Sequence, residues 1–190
     1  FVQTMGSLHK GHEFLIKKSK KTGGKTLVTI FVNPKQFNKK SDYNNYPRNI
    51  KNDLTLLKRL KVHFVYIPNK REIFSFKPNK NVFLDKVSKK LCGQFRKGHF
   101  EGVLDVVNRF LEILNPKRIY LGKKDFQQLY LIKKHIQKRK IKTKVIAYKT
   151  IREINGVACS SRNKRLNKKQ LRIASQVYKF LFKMKKKSKP

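Results

Sequence analysis

Acidic residues are scarce in this 190-residue chain: ten Asp and Glu face 49 Lys and Arg, a formal net charge of +39. Cysteine is nearly absent as well. The two present, Cys92 and Cys159, lie far apart and match no metal-ligand spacing, so a disulfide framework is not expected and a reducing cytoplasm is the natural compartment. Tryptophan is missing. No apolar run approaches the ~20 residues of a membrane-spanning helix, and the N-terminus has no signal-peptide profile. No internal repeat is apparent. What remains is 38% hydrophobic with 14 Phe and 7 Tyr, enough for one aromatic-rich core and too much for a disordered chain.

So large a positive charge first points to nucleic acid or an anionic membrane surface. Its texture argues otherwise. Of the 49 basic residues 38 are Lys and 11 Arg, whereas base recognition and bidentate phosphate clamping favour Arg. The lysines are spread over every segment, as a coding bias toward Lys would leave them. Neither a specific nucleic acid nor a membrane is expected as a partner.

Short apolar runs mark five strands: Phe1 to Thr4, Thr26 to Val32, Val62 to Ile67 before Pro68, Arg118 to Leu121 before Gly122, and Lys144 to Tyr148. The second reads as fully buried. Helical patterns run between them, over Gly11 to Lys21, Pro47 to Leu60 with Pro47 at the start, Val103 to Leu114 and Phe126 to Arg139. Strands alternating with amphipathic helices predict an α/β fold with a doubly wound parallel sheet, whose ligands bind beyond the carboxyl ends of the strands. Lys168 to Met184 is a further helical pattern. Lys185 to Pro190 reads as a basic tail, and Lys183 to Ser188 as a solvated Lys run.

Four polar motifs fall at predicted strand ends. The first, Met5-Gly6-Ser7-Leu8-His9-Lys10-Gly11-His12, precedes a helix. If Gly11 opens that helix, both imidazoles lie on its first turn, beside free N–H groups and the positive end of the helix dipole. Glycine lets phosphate approach the backbone, and the imidazoles add donors, an arrangement suited to a triphosphate. Two capping or metal-binding histidines are the alternative, although metal pairs on helices more usually sit at i, i+4. The second motif, Asn33-Pro34-Lys35-Gln36-Phe37, turns the chain and exposes Gln36, or is a plain strand-ending turn. The third, Gly122-Lys123-Lys124-Asp125, offers close approach at Gly122 and a phosphate-neutralising Lys124. Its Asp125 can cap the helix or engage ribose or Mg²⁺. The fourth runs from Ile151 to Asn163 and presents two hydroxyls and a guanidinium, Ser160, Ser161 and Arg162, beside Cys159. A polar hairpin would look similar.

Together these segments carry a resemblance. Thr4-Met-Gly-Ser-Leu-His-Lys-Gly-His12 resembles the HxGH signature of the adenylate-forming nucleotidyltransferases, and within them the pantothenate synthetase (pantoate–β-alanine ligase) family. Ile30 to Phe37, Tyr46-Pro47-Arg48 with Asp53, Arg96 to Val103, Gly122 to Gln128 and Ile151 to Asn163 are similar to that family's motifs, in its order. The resemblance implies ATP-dependent ligation of pantoate and β-alanine through a pantoyl adenylate, releasing AMP and pyrophosphate, with ATP as substrate and Mg²⁺ as cofactor. It implies His12, His9 and Lys124 as catalytic groups. Contacts to ATP would come from Met5 to His12, Gly122 to Asp125, Ile151, Cys159, Ser160, Ser161 and Arg162. Pantoate would meet Gln36, Gln128, Val106 and Val107, and β-alanine Gln36. Lys10, Lys97, Asp105 and Lys123 depart from the family pattern, Lys97 and Asp105 bearing on substrate affinity more than on reaction type, and Ile151 and Cys159 are mild changes.

Against the family pattern, residues 1–163 match a Rossmann-like nucleotide- and pantoate-binding domain without its first helix, and 164–190 the start of a truncated C-terminal domain. The resemblance implies a homodimer where the C-terminal domain is present. An impaired fragment, or a basic nucleic-acid-binding protein on the same scaffold, is the alternative.

Overall fold

A computed structural model describes residues 1–187. The three last residues of the expected basic tail, 188–190, lie outside the described residues, and with them the end of the Lys183 to Ser188 run. Among the described residues five strands form, β1 (Val2–Thr4), β2 (Leu27–Ile30), β3 (Phe64–Tyr66), β4 (Arg118–Gly122) and β5 (Lys144–Tyr148), interleaved with eight α-helices. These are α1 (Lys10–Lys21), α2 (Lys40–Asn44), α3 (Ile50–Arg59), α4 (Lys70–Phe74), α5 (Cys92–Phe95), α6 (His99–Leu114), α7 (Phe126–Lys138) and α8 (Lys168–Lys187).

Every strand pair is parallel, with Val2 opposite Val28, Leu27 opposite Phe64 and Ile119 opposite Val145. The β1-β2-β3 and β4-β5 groups are joined through Phe1, whose amino group donates to Arg118 O at 2.8 Å and whose carbonyl accepts from Tyr120 N at 2.9 Å. The strand order is therefore 3-2-1-4-5, and it reverses between β1 and β4. That reversal opens a crevice at the carboxyl ends of the two central strands.

Alternation along the strands builds two cores. Val2, Val28, Ile30 and Tyr120 pack with Ile16 of α1 and Leu57 of α3 on one face. Phe1, Phe31, Ile119 and Leu121 pack with Phe110 of α6 and Ile132 of α7 on the other. Phe110 is fully buried and its ring meets those of Phe1, Phe31 and Tyr66. Burial of such a side chain is worth about 1.5–3 kcal/mol.

Phe64 and Val65 are exposed, because β3 lies at the sheet edge with no further described strand against it. Two expectations need correction. Pro47 does not start a helix. Asn49 caps α3 by accepting from Asn52 N at 3.1 Å, while Arg48 turns back to donate to the Tyr43, Asn44 and Tyr46 carbonyls. Helix α6 begins at His99, a turn before Val103, because Gly98 takes φ +75° and His99 Nδ1 donates to Gln36 O at 2.7 Å. The short helices α2, α4 and α5 show too little periodicity to be read from sequence.

Candidate active site

Gly6 (φ +76°) and Ser7 (φ +49°) turn the chain sharply out of β1 in the left-handed region. At Gly6 a Cβ would sit 3.0 Å from both Asp53 Oδ2 and Ile30 Cγ2, so glycine answers to space as well as to φ. The turn delivers His9 to the N-cap of α1 and His12 to its third residue. His9 thus caps the helix from outside its first turn, a correction to the expectation that both imidazoles lie on that turn.

The two histidines form a reciprocal capping box. Gly11 N donates to His9 Nδ1 at 3.1 Å, and His9 N donates to His12 Nδ1 at 3.3 Å. Their rings lie 4.0 Å apart, centroid to centroid. With both Nδ1 atoms accepting from backbone, each neutral ring carries its proton on Nε2. Burial, reinforced by the Lys124 ammonium, lowers the His9 pKa to about 4. Burial, then His9, then Lys124 push His12 well below its ordinary value. At neutral pH the pair supplies two uncharged donors at the positive end of a twelve-residue helix.

His9, Gly11 and His12 line a cleft with Gly122, Lys124, Asp125, Gln128, Ile151 and Cys159, between the ends of β1 and β4. Three of the four motifs therefore share one wall-to-wall space. Lys124 and Asp125 come from the 3₁₀ turn Lys123–Asp125 that leads into α7, with their charged ends 3.6 Å apart. Asp125 makes no capping hydrogen bond, so of its two expected roles only the ligand-facing one remains open. Lys123 and Lys10 are exposed and do not line the cleft.

The fourth motif folds over the first. An antiparallel bridge between Arg152 and Ala158 makes a hairpin whose tip, Gly156 at φ +90°, rests against the Tyr178 ring of α8. Lys10 reaches Glu153 at 3.0 Å, and the buried Cys159 Sγ donates to the other oxygen of Glu153 at 3.1 Å. Ser161 donates to Ser7 O at 3.0 Å, while the Ser160 hydroxyl accepts from Arg162 N at 3.3 Å. Asp42 of α2 accepts from Arg162 at 2.8 Å and from Arg165 at 3.0 Å, contacts that hold its carboxyl below the usual range. Arg162 also covers the Tyr46 ring.

The remaining expected residues divide. Gln128 lines the cleft. Gln36, on the 3₁₀ turn Pro34–Gln36, donates to Met5 Sδ at 3.0 Å and accepts from Asn33 Nδ2 at 3.2 Å, beside the His turn and outside the cleft lining. Leu8 is buried in the β1 core, and the buried Ser7 hydroxyl has no hydrogen-bond partner. Val106 and Val107 do not reach the cleft. Both are buried in the α6 core, because α6 turns that face to the sheet while Gly102 presses on Lys35 O.

Several residues with a part in the site were not assigned one from sequence, among them Lys149, Thr150 and Asp53. Lys149 and Thr150 line the cleft from the end of β5. Asp53 is buried and accepts from Ser7 N and Leu8 N, both at 2.7 Å. Its sequence signal is an acid on the α3 face that also carries Leu57, in a chain with few acids.

A five-stranded 3-2-1-4-5 sheet with a His-x-Gly-His turn at its reversal point is a Rossmann-like fold of the nucleotidyltransferase type. The sequence profile of the family described as pantoate-beta-alanine ligase matches residues 1–190. The chain belongs to that family. It is 43% identical over 185 residues to the pantothenate synthetase of Francisella philomiragia, covering 95% of this chain and 70% of the relative. To the pantothenate synthetase of Clostridium botulinum it is 42% identical over 174 residues, covering 92% of this chain and 62% of the relative. A crystal structure of pantoate-beta-alanine ligase from Francisella tularensis, complexed with β-γ ATP and β-alanine, superposes with a TM-score of 0.89 at 41% identity, over 95% of this chain and 70% of that one. The chain thus spans 62% to 70% of the length of these relatives. Matches to one ligase family along the whole chain do not favour the basic nucleic-acid-binding alternative.

Proposed function

We propose that the chain performs ATP-dependent ligation of pantoate with β-alanine, in the cytoplasm. A pantoate carboxylate oxygen attacks the α-phosphorus of ATP, the bond to the bridging oxygen breaks, and pyrophosphate leaves. The β-alanine amine then attacks the acyl carbon of the pantoyl adenylate; the C–O bond breaks, AMP departs with that oxygen, and the amine loses a proton.

One observation carries this reading: the paired Nε2–H donors of His9 and His12 face the same cleft as Lys124, across the β1/β4 crevice. Such a reaction asks the protein to align two reactants and to stabilise charge developing on phosphate. Neutral histidines suit the task, since they donate without a proton equilibrium near neutral pH. The N-terminus of α1 and Lys124 add positive potential. His9, Gly11, His12, Gly122, Lys124, Asp125, Ile151 and Cys159, which line the cleft, would surround the nucleotide. Ser160, Ser161 and Arg162 would close on its phosphates, with Arg162 exchanging Asp42 for phosphate. Gln128 would hold pantoate in the cleft, and Gln36 would meet pantoate and β-alanine from the Met5 side.

Among the described residues no cluster of three or more His, Cys, Asp and Glu could cage a metal ion. Asp125 is the one carboxylate lining the cleft, which fits Mg²⁺ arriving on the triphosphate and neutralising its charge. The division at residue 163, and a homodimer formed through a C-terminal domain, belong to the same proposal. Pyrophosphate release from ATP tests the reading. It should require pantoate and not β-alanine; release independent of pantoate would overturn it.

A further inference from the structure

The turn that carries the histidines is held by a group from another helix. Its residues Gly6 and Ser7 both sit at positive φ, a conformation that costs free energy at Ser7 and persists only where the surroundings fix it. From the sheet side Thr4 Oγ1 accepts from Gly6 N at 3.2 Å and donates to Thr29 O at 2.7 Å. Ser161 holds the Ser7 carbonyl. Asp53 takes the two remaining amides: Oδ2 accepts from Ser7 N and Oδ1 from Leu8 N, each at 2.7 Å. Asp53 is 4% exposed, and its carboxylate takes part in none of the ion pairs among the described residues.

We propose that Asp53 is a positioning residue for adenylate formation: its carboxylate fork fixes the Gly6–Leu8 turn, which sets the angle at which His9 and His12 present their Nε2–H groups to the cleft. The proposal rests on the ligase reading given above.

The chemistry of the fork explains why this residue type is needed. The amides of two successive residues, Ser7 and Leu8, require two acceptor atoms at carboxylate spacing. Asn offers one acceptor and turns an N–H₂ group toward the second amide. Serine is too short to bridge both. The residue acts through geometry, not through attraction for substrate, because a negative charge beside a phosphate site opposes anion binding. Removing the charge by Asp53→Asn should therefore leave ATP affinity unchanged or raised while the reaction slows. A purely structural residue predicts parallel losses instead.

Asp53→Asn is compared with Ile16→Val, which trims a fully buried residue of the same α1 core and leaves the fork intact. ATP affinity, pantoate-dependent pyrophosphate release, and the ¹⁵N resonances of His9 and His12 are measured in each. In the wild type both imidazoles should report as Nε2–H tautomers. In Asp53→Asn, kcat should fall by roughly 10²-fold, as for a misplacement of about 1 Å. ATP Kd should not rise, and both resonances should move toward a tautomer mixture. Ile16→Val should lower Tm and leave tautomers and kcat alone. If Asp53→Asn does not fold, Gly6→Ala displaces the same contact, since its Cβ would meet Asp53 Oδ2 at 3.0 Å. Unchanged histidine resonances in the fork variant, or equal effects in Ile16→Val, would overturn the proposal. A wild type that releases no pyrophosphate with pantoate refutes the reaction alone; the histidine resonances still decide the role of Asp53.

Discussion

His12 serves two ends at once, since its Nδ1 caps the backbone of His9 while its Nε2–H is left for a ligand. His12→Ala should therefore cost about 1 kcal/mol of stability, as for a lost cap, and roughly 10²–10³ in the rate of pyrophosphate release. Chemical denaturation and initial rates separate the two, and retained activity with a large loss of stability would return His12 to a core role. Gln36→Ala and Gln128→Ala should each raise the pantoate KM with little change for ATP; equal losses for both substrates would remove this division of the site. At this scale the sequence was legible where side chains carry their own chemistry: the two histidines, Lys124 and Gln128 all meet in the cleft. It was silent where a residue acts by burial. Asp53 matches a family position in sequence, but its role shows only when α3 packs under the turn, and Val106 and Val107 look like pocket lining until α6 turns them inward.

At the scale of elements, the hairpin 151–159 and the turn Ser161–Arg165 are tied to the rest by a few polar contacts: Lys10 to Glu153, Ser161 to Ser7, and Arg162 and Arg165 to Asp42. Surface ion pairs contribute up to about 1 kcal/mol each, so this clasp should open well below the energy of global unfolding. Asp42→Ala should speed hydrogen exchange across residues 151–165 and leave α6 and α7 protected. Uniform acceleration over all three segments would show that the clasp is part of the global core. The identity of the strands and of the longer helices followed from periodicity, and the sheet's parallel order from the alternation of strands with helices. Boundaries did not. The start of α6 depends on a bond from His99 to Gln36, 63 residues away in sequence, and the exposure of β3 on its place at the sheet edge. Neither is a local property of the chain.

For the whole molecule, acid sensitivity should begin in the histidine range. Burial lowers His9 and His135 to about 4 from 6.5, and lowers His12 and His99 as well. His135 is held neutral by accepting from Phe83 N at 3.1 Å while Nε2 meets Asn108 Oδ1 at 3.0 Å. Groups of this kind bind more protons unfolded than folded, so stability rises with pH through the window from about 4 to 6.5 and is lost as pH falls through it. Each proton also adds to a chain already at +39. Thermal unfolding from pH 8 to 5 should show Tm falling before any carboxylate titrates; a flat profile down to pH 5 would contradict the buried neutral histidines. The central claim is that a carboxylate oxygen of pantoate attacks the α-phosphorus of ATP in the β1/β4 cleft. Its most direct measurement is a reaction with pantoate labelled in its carboxylate with ¹⁸O, followed by mass analysis of the AMP. The account predicts one ¹⁸O atom in each AMP formed, and unlabelled AMP from that reaction would contradict it.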